Sequence, residues 1–273
     1  MSTQPTVYVT TLNGLHKAIR LQTSEWGFTE DDHNRPWYRG HSSAGWSLQP
    51  SSLRKGTWNA KARENEAEAF EEFWTKAPAL GAPDSIRSNC WDGYFLMQHF
   101  GAPTRLLDWS ESVLVALYFA VSSSKEKEDC AVWMLDPYEL NRRNSGFKRK
   151  EGYVASPGFL GDKPGEQKRM DQWLPWANRA RSKVIPKEPI ALYPSYFARR
   201  IESQRSGFTL HGSDRNGLTK SWRKGGPLLK IVVRRDKKAY FKSVVRDMGV
   251  DTASVYPDLH GLGKLLAEKW TSQ

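Results

Sequence analysis

QHFGAPTRLLDWSESVLVALYFAV, residues 98–121, holds a helix stop, a polar turn and the start of an apolar helix. Gly101 and then Pro103 follow a helical stretch over 89–100 in the order helix ends prefer: glycine takes the left-handed position after the last turn, and proline cannot continue the ladder. After the turn, Ser110 is placed as the N-cap of a helix over 113–120, built from Val, Leu, Ala, Tyr and Phe. Working outward, residues 60–75 (AKARENEAEAFEEFWT) read as an amphipathic helix with Ala67, Phe70 and Trp74 on its apolar face. Residues 6–10 alternate as a short strand, a helix follows over 12–22, and 37–39 form a second strand ending at Gly40. Residues 131–135 read as a buried strand, 190–193 and 228–233 as further strands, and 259–269 as a closing helix. Strands and helices mix without the regular alternation of a doubly wound sheet, so the expected class is α+β.

The 273 residues suffice for a large core. The composition, 38% hydrophobic, 26% charged and 12% aromatic, excludes disorder. No apolar run approaches the roughly 18 to 20 residues that span a bilayer. Residues 1–21 lack the apolar centre of a signal peptide, so a cytoplasmic chain without membrane contact is expected. Two cysteines far apart, Cys90 and Cys130, signal neither a disulfide framework nor a zinc site and are read as buried thiols.

Lys and Arg number 41 against 30 Asp and Glu, a net charge of +11, which favours a polyanionic partner, an anionic substrate or an acidic inhibitor protein. A basic surface kept for solubility is the plainer alternative. The excess lies at 141–150, 168–187 and 220–238. Interleaved aromatics beside cations suit stacked bases, which nominates Arg142, Arg143, Lys148, Arg149, Lys150, Trp173 and Trp176 as a nucleic-acid surface. The alternative is that the tryptophans anchor insertions against the core.

Three stretches concentrate polar chemistry: WYRGH (37–41), residues 98–121, and RIESQRSGFTLHG (200–212). In this order they resemble the FRG domain family. Tyr38-Arg39-Gly40 reproduces its aromatic-Arg-Gly signature, and Gln98 to Ala120 follows its Gln-His-aromatic-Gly-x-Pro-Thr-Arg-Leu-Leu-Asp-Trp pattern and the Ala-rich aromatic helix after it. Gln204, Gly207 and Phe208 match the third motif, and VYPDLHGL (255–262) its closing segment. The resemblance covers about residues 35–265. It implies one FRG-type domain, with 1–34 as an N-terminal strand and helix extension and 138–190 as a basic insertion.

The motif order is also similar, more distantly, to ADP-ribosyltransferase folds, which implies a split β-sheet core with flanking helices and an NAD cleft between two small sheets. By that resemblance Arg39 contacts the NAD phosphates or ribose, Ser110 braces the cleft, and Glu202 or Gln204 addresses the nicotinamide ribose; Gly40, His41, His99, Asp108, Trp109 and Tyr118 complete the NAD site. The chemistry fits these residue types. A guanidinium grips two oxygens at once, Gly40 admits a ligand to the backbone, and an oxocarbenium-like sugar cation calls for a carboxylate or amide beside the ribose.

Other readings of the same residues stay open. Arg39 pairs with Asp108 as a structural ion pair; Arg105 and Asp108 bond each other or cap the following helix; Trp109, Tyr118 and Phe119 pack in the core; His41 and His99 serve a ligand or sit satisfied in the interior. His211 completes a loose trio without metal-ligand spacing, and no metal is expected. The expected activity is NAD-dependent ADP-ribosyl transfer to nucleic acid, RNA ahead of DNA, by a bacterial toxin or anti-phage effector with a neutralising antitoxin or inhibitor protein. The alternatives are an NAD glycohydrolase and a non-catalytic nucleic-acid-binding module.

Overall fold

The run CAVWML is buried at all six positions in the computed structural model, as befits a strand covered on both faces. This strand, Cys130–Leu135, is β4 of a seven-stranded sheet. The other strands are β1 (Thr6–Val9), β2 (Trp37–His41), β3 (Leu106–Ser110), β5 (Ile190–Leu192), β6 (Ser206–Leu210) and β7 (Leu228–Val233), in the spatial order β1-β7-β4-β2-β3-β6-β5. Residues 5–29, 34–54, 59–83, 89–122, 127–144, 153–157, 168, 170–175, 186–194, 203–219 and 226–271 are described. Only β1 runs parallel to its neighbour β7; the remaining pairs are antiparallel. Helices and a mixed sheet make the chain α+β. The N-terminal 1–34 segment supplies β1 and α1 (Leu12–Glu25), so it completes one edge of this same sheet.

The joint in the middle of the sheet governs everything that follows. β2 pairs along its whole length with β4, and β3 along its whole length with β6, but β2 and β3 meet at a single register pair, Tyr38 with Ser110. Beyond that pair the two strands part, and the sheet opens into a wedge.

Helices hold the wedge in place. α2 (Ala60–Lys76) and α3 (Cys90–His99) pack through Phe70, Trp91 and Phe95 onto Leu106, Phe208 and Leu210 of the β3-β6-β5 half. α4 (Val113–Val121) covers the other half with α6 (Lys238–Asp247), through Leu117, Val121, Phe241 and Val245 against Val132, Met134 and Ile231. On the opposite face Trp37, Trp109 and Trp133 gather with Leu48 and Leu135. The remaining helices are α5 (Pro137–Arg143), α7 (Thr252–Val255) and α8 (Leu259–Thr271).

Several sequence expectations are corrected. Residues 106–110 form a strand where a turn was expected, because pairing with β6 outweighs the polar Asp108 in the middle of the segment. Ser112 therefore caps α4, its Oγ accepting from Val115 N at 3.4 Å, while Ser110 ends β3. Cys130 is buried as expected, but Cys90, at the start of α3, is exposed. Arg105 does not bond Asp108. Its side chain, fully buried, donates from Nε to Glu66 Oε2 at 2.8 Å, from one Nη to the His211 carbonyl at 2.8 Å, and from the other to the Trp173 carbonyl. Tyr94 completes the cluster by donating its hydroxyl to Glu66 and accepting from Arg105 N. A buried guanidinium is tolerated only when its charge and its donors are matched in this way. Burial and the Glu66 carboxylate hold the Tyr94 phenol well above the ordinary tyrosine range.

Candidate functional site

Where β2 and β3 part, a cavity of about 650 Å³ opens, within the range of roughly 300–1,000 Å³ usual for small-molecule sites. Arg39, Gly40, Asp108 and Ser110 come to it from the strands, Gln98 and His99 from the end of α3, Ala116 and Phe119 from α4, and Gln204 and Ser206 from the start of β6. The three sequence motifs thus converge on one space.

Arg39 sits in the opening itself. Its Nη1 donates to the Asp108 carbonyl oxygen at 2.6 Å and stands 3.6 Å from the Asp108 carboxylate, while its Nε donates to His41 Nε2 at 3.1 Å. Burial pulls its pKa below the ordinary arginine value, with Asp108 opposing and Arg54 adding to the fall. The cation closes the unpaired side of β3, and the ion pair with Asp108 exists, but it is not sealed. The Asp108 side chain is 51% exposed to the cavity against 18% for Arg39.

Asp108 is held from the other side by Gln98, whose Nε2 donates to Oδ2 at 2.9 Å. Gln98 is oriented in turn by the Thr104 hydroxyl, which donates to its Oε1 and accepts from Leu106 N at 3.1 Å. A chain Thr104–Gln98–Asp108–Arg39 therefore fixes one carboxylate at the cavity wall, and among the described lining residues Asp108 is the only acid.

Ser110 Oγ donates to the Gln204 carbonyl at 2.6 Å and accepts from Ser112 N at 3.0 Å, so it braces the end of β3 against the start of β6. Gln204 lines the cavity, but its Nε2 donates to the Val255 carbonyl at 3.0 Å. The next residue, Arg205, is a non-glycine residue in the left-handed region at φ 45, an uncommon conformation that fixes how Gln204 meets the cavity.

Gly40 has a role different from the one read in the sequence. A side-chain carbon there would stand 1.9 Å from the Ala116 carbonyl oxygen and 2.7 Å from Ala120 N, both backbone atoms of α4. Glycine lets the helix lie directly on β2 and so places Ala116 and Phe119 at the cavity. Gly207 does the same for the Trp37 ring, which would lie 2.7 Å from an added carbon.

Other expected site residues fall elsewhere. His41 is buried and supports Arg39 from behind; burial, and then the Arg39 charge, push its pKa down to about 3, which leaves the imidazole neutral and able to accept. Trp109 passes the cavity along β3 but directs its indole into the core, donating from Nε1 to Thr209 Oγ1 at 3.0 Å. Tyr118 does not line the cavity: its hydroxyl lies 2.8 Å from Thr252 Oγ1 on the α7 side. Arg142 and Arg143 both donate to Glu139 one turn earlier in α5. Trp173 is 3% exposed and packs with Trp91 and Phe95, so it offers no face to a base. Glu202, Lys148, Arg149, Lys150 and Trp176 lie outside the described residues.

The sequence reading assigned no site role to Gln98, Arg54 or Trp46. Gln98 stands in the quoted motif ten residues before Asp108, but only the fold reveals the contact. Among the described residues no group of three or more His, Cys, Asp or Glu side chains stands close enough to hold a metal ion. No helix among them is long and apolar enough to cross a membrane.

Compared with known families, residues 34–129 match the FRG domain. That span runs from just before β2 to the residue before β4 and contains Arg39, Gln98, Asp108 and Ser110. No curated protein and no solved structure matches the chain.

Proposed function

Residues 34–129 of this chain are an FRG domain, and from that premise we propose that its wedge cavity binds NAD and cleaves the bond between nicotinamide and ribose, passing ADP-ribose to a nucleic-acid acceptor. The observation that carries the reading is the meeting of Arg39, Asp108, Ser110 and Gln204 around one cavity at the parting of β2 and β3. The proposed core is of the ADP-ribosyltransferase type, with the wedge in the sheet as its cleft.

The roles follow from the chemistry. Arg39 offers charge and directed donors to the pyrophosphate or ribose oxygens, with Arg54 adding to the local positive potential. When the glycosidic bond breaks, its electron pair goes to the ring nitrogen, nicotinamide leaves neutral, and the sugar carbon becomes cationic. A fixed carboxylate beside that carbon stabilises the cation without reorganising. Asp108, positioned by Gln98, is the described residue suited to this task, and Gln204 with Ser110 shapes the wall opposite. The cation is then captured by the acceptor nucleophile, which gives up a proton. The net charge of +11 favours a polyanionic acceptor, RNA ahead of DNA. Consumption of NAD to modify nucleic acid would harm the host cell, so the reading includes a toxic effector held by a neutralising protein.

The test is incubation with labelled NAD and separate pools of RNA, DNA and protein, with a growth assay of expressing cells beside it. The expected result is label retained by RNA, and growth arrest relieved by Arg39→Ala. NAD loss without labelled acceptor would convert the reading to a glycohydrolase, and unchanged NAD together with unchanged growth would refute it.

A further inference from the structure

α8 carries an apolar stripe that nothing among the described residues covers. Leu259, Leu262, Leu266 and Trp270 are 87%, 46%, 56% and 80% exposed, and their spacing of three, four and four residues places them on one face of the helix. The opposite face is the one that attaches the helix to the body: Gly261 is buried against Tyr256, and Glu268 accepts from Thr252 at 2.9 Å. The helix is therefore seated by one face and presents the other outward. Isolated exposed leucines need no explanation, but four large apolar side chains in register form a patch of the size, roughly 300–600 Å², that on monomers is often functional.

The charge around the stripe selects the occupant. Lys264 and Lys269 flank it on the same helix, both exposed, and the chain as a whole carries +11. A second copy would bring the same lysines and the same net charge to the interface, a like-charge juxtaposition that disfavours self-pairing. A partner whose apolar groove or helix is rimmed by Asp and Glu satisfies both the stripe and its border. We propose that α8 is the docking ridge for an acidic partner protein, with Leu262, Leu266 and Trp270 as the anchoring side chains. This inference is independent of the cavity and of any reaction there.

The test uses the full chain and two labelled amphipathic helical peptides with identical leucine faces, one carrying Glu and the other Lys on the polar face. Fluorescence anisotropy should show the Glu peptide binding at least tenfold more tightly than the Lys peptide, with the affinity weakened by salt. Leu266→Glu should lower it at least tenfold while circular dichroism and Tm stay unchanged, since the position is exposed. A second variant, Trp270→Ala, should also weaken binding. Equal binding of both peptides, binding of neither, or binding that survives both substitutions would overturn the proposal. So would self-association in sedimentation at micromolar concentration, or adsorption to anionic lipid vesicles without peptide binding.

Discussion

Glu66→Gln gives the sharpest test of what holds the FRG core together. The Glu66 side chain is 3% exposed and that of Arg105 0%, and one carboxylate serves both the Arg105 guanidinium and the Tyr94 hydroxyl. The substitution keeps the shape but removes the charge and replaces one acceptor oxygen by a donor NH₂. At least one of the two donors then loses its partner, and the arginine charge stays buried with only the His211 and Trp173 carbonyls around it. Removing one member of a buried ion pair costs about 3–5 kcal/mol; because those two carbonyls remain, the lower end, about 3 kcal/mol, is expected. At roughly 2–4 °C per kcal/mol for a chain of this size, Tm should fall by about 6–12 °C. Urea unfolding should show a lower midpoint with an unchanged slope. The double variant Glu66→Leu/Arg105→Met, which removes both charges, should recover most of the loss relative to either single change. A loss under about 1 kcal/mol for Glu66→Gln, or a double variant worse than the sum of the singles, would refute the reasoning.

Gly40→Ala should destabilise by about 3 kcal/mol, at the upper end of overpacking effects, because the 1.9 Å contact is with helix backbone and no side-chain rotation relieves it; thermal unfolding within 2 °C of wild type, on the order of 0.5–1 kcal/mol, would contradict this. Acid should weaken the fold through two buried imidazoles. His41 and His211 fall from 6.5 to about 3, chiefly by burial, so the unfolded chain binds protons that the folded chain excludes. Their contribution is intact above about pH 6.5 and is lost as pH falls towards 3, at about 1.4 kcal/mol per pH unit for each group. Asp136, raised by burial from 3.8 to about 6, acts in the opposite sense below pH 6 and offsets about one proton. Urea midpoints measured from pH 7.5 to 4 should decline, and His41→Asn should flatten the slope.

How much of this was legible in the sequence depended on how local each cause was. The run CAVWML announced β4, and WYRGH announced a strand with a cation at its end, because period and burial are written into adjacent residues. β3 was hidden: LLDWS carries an aspartate at its centre, and only pairing with β6 makes it a strand. The convergence of Arg39 with Gln204 was readable from motif order, but the bond from Gln204 to Val255 joins positions that no spacing rule connects. Glu66 sits among solvent-facing glutamates in α2 and differs from them only because Arg105 is inserted beneath it. Gly40 was read as an approach for a ligand and proves to be a seat for α4. Trp173 was read as a stacking platform from its basic neighbours and proves to be core. In both cases the residue type was informative, and the partner lay far away in the chain.

The central claim, that the parting of β2 and β3 is an NAD site gripped by Arg39, is tested most directly by titration calorimetry of NAD into the wild-type chain and into Arg39→Ala. The account predicts one NAD per chain for the wild type and at least a tenfold loss of affinity in the variant, with its Tm little changed. Wild-type protein that binds no NAD, or a folded Arg39→Ala that binds it equally well, would contradict the account.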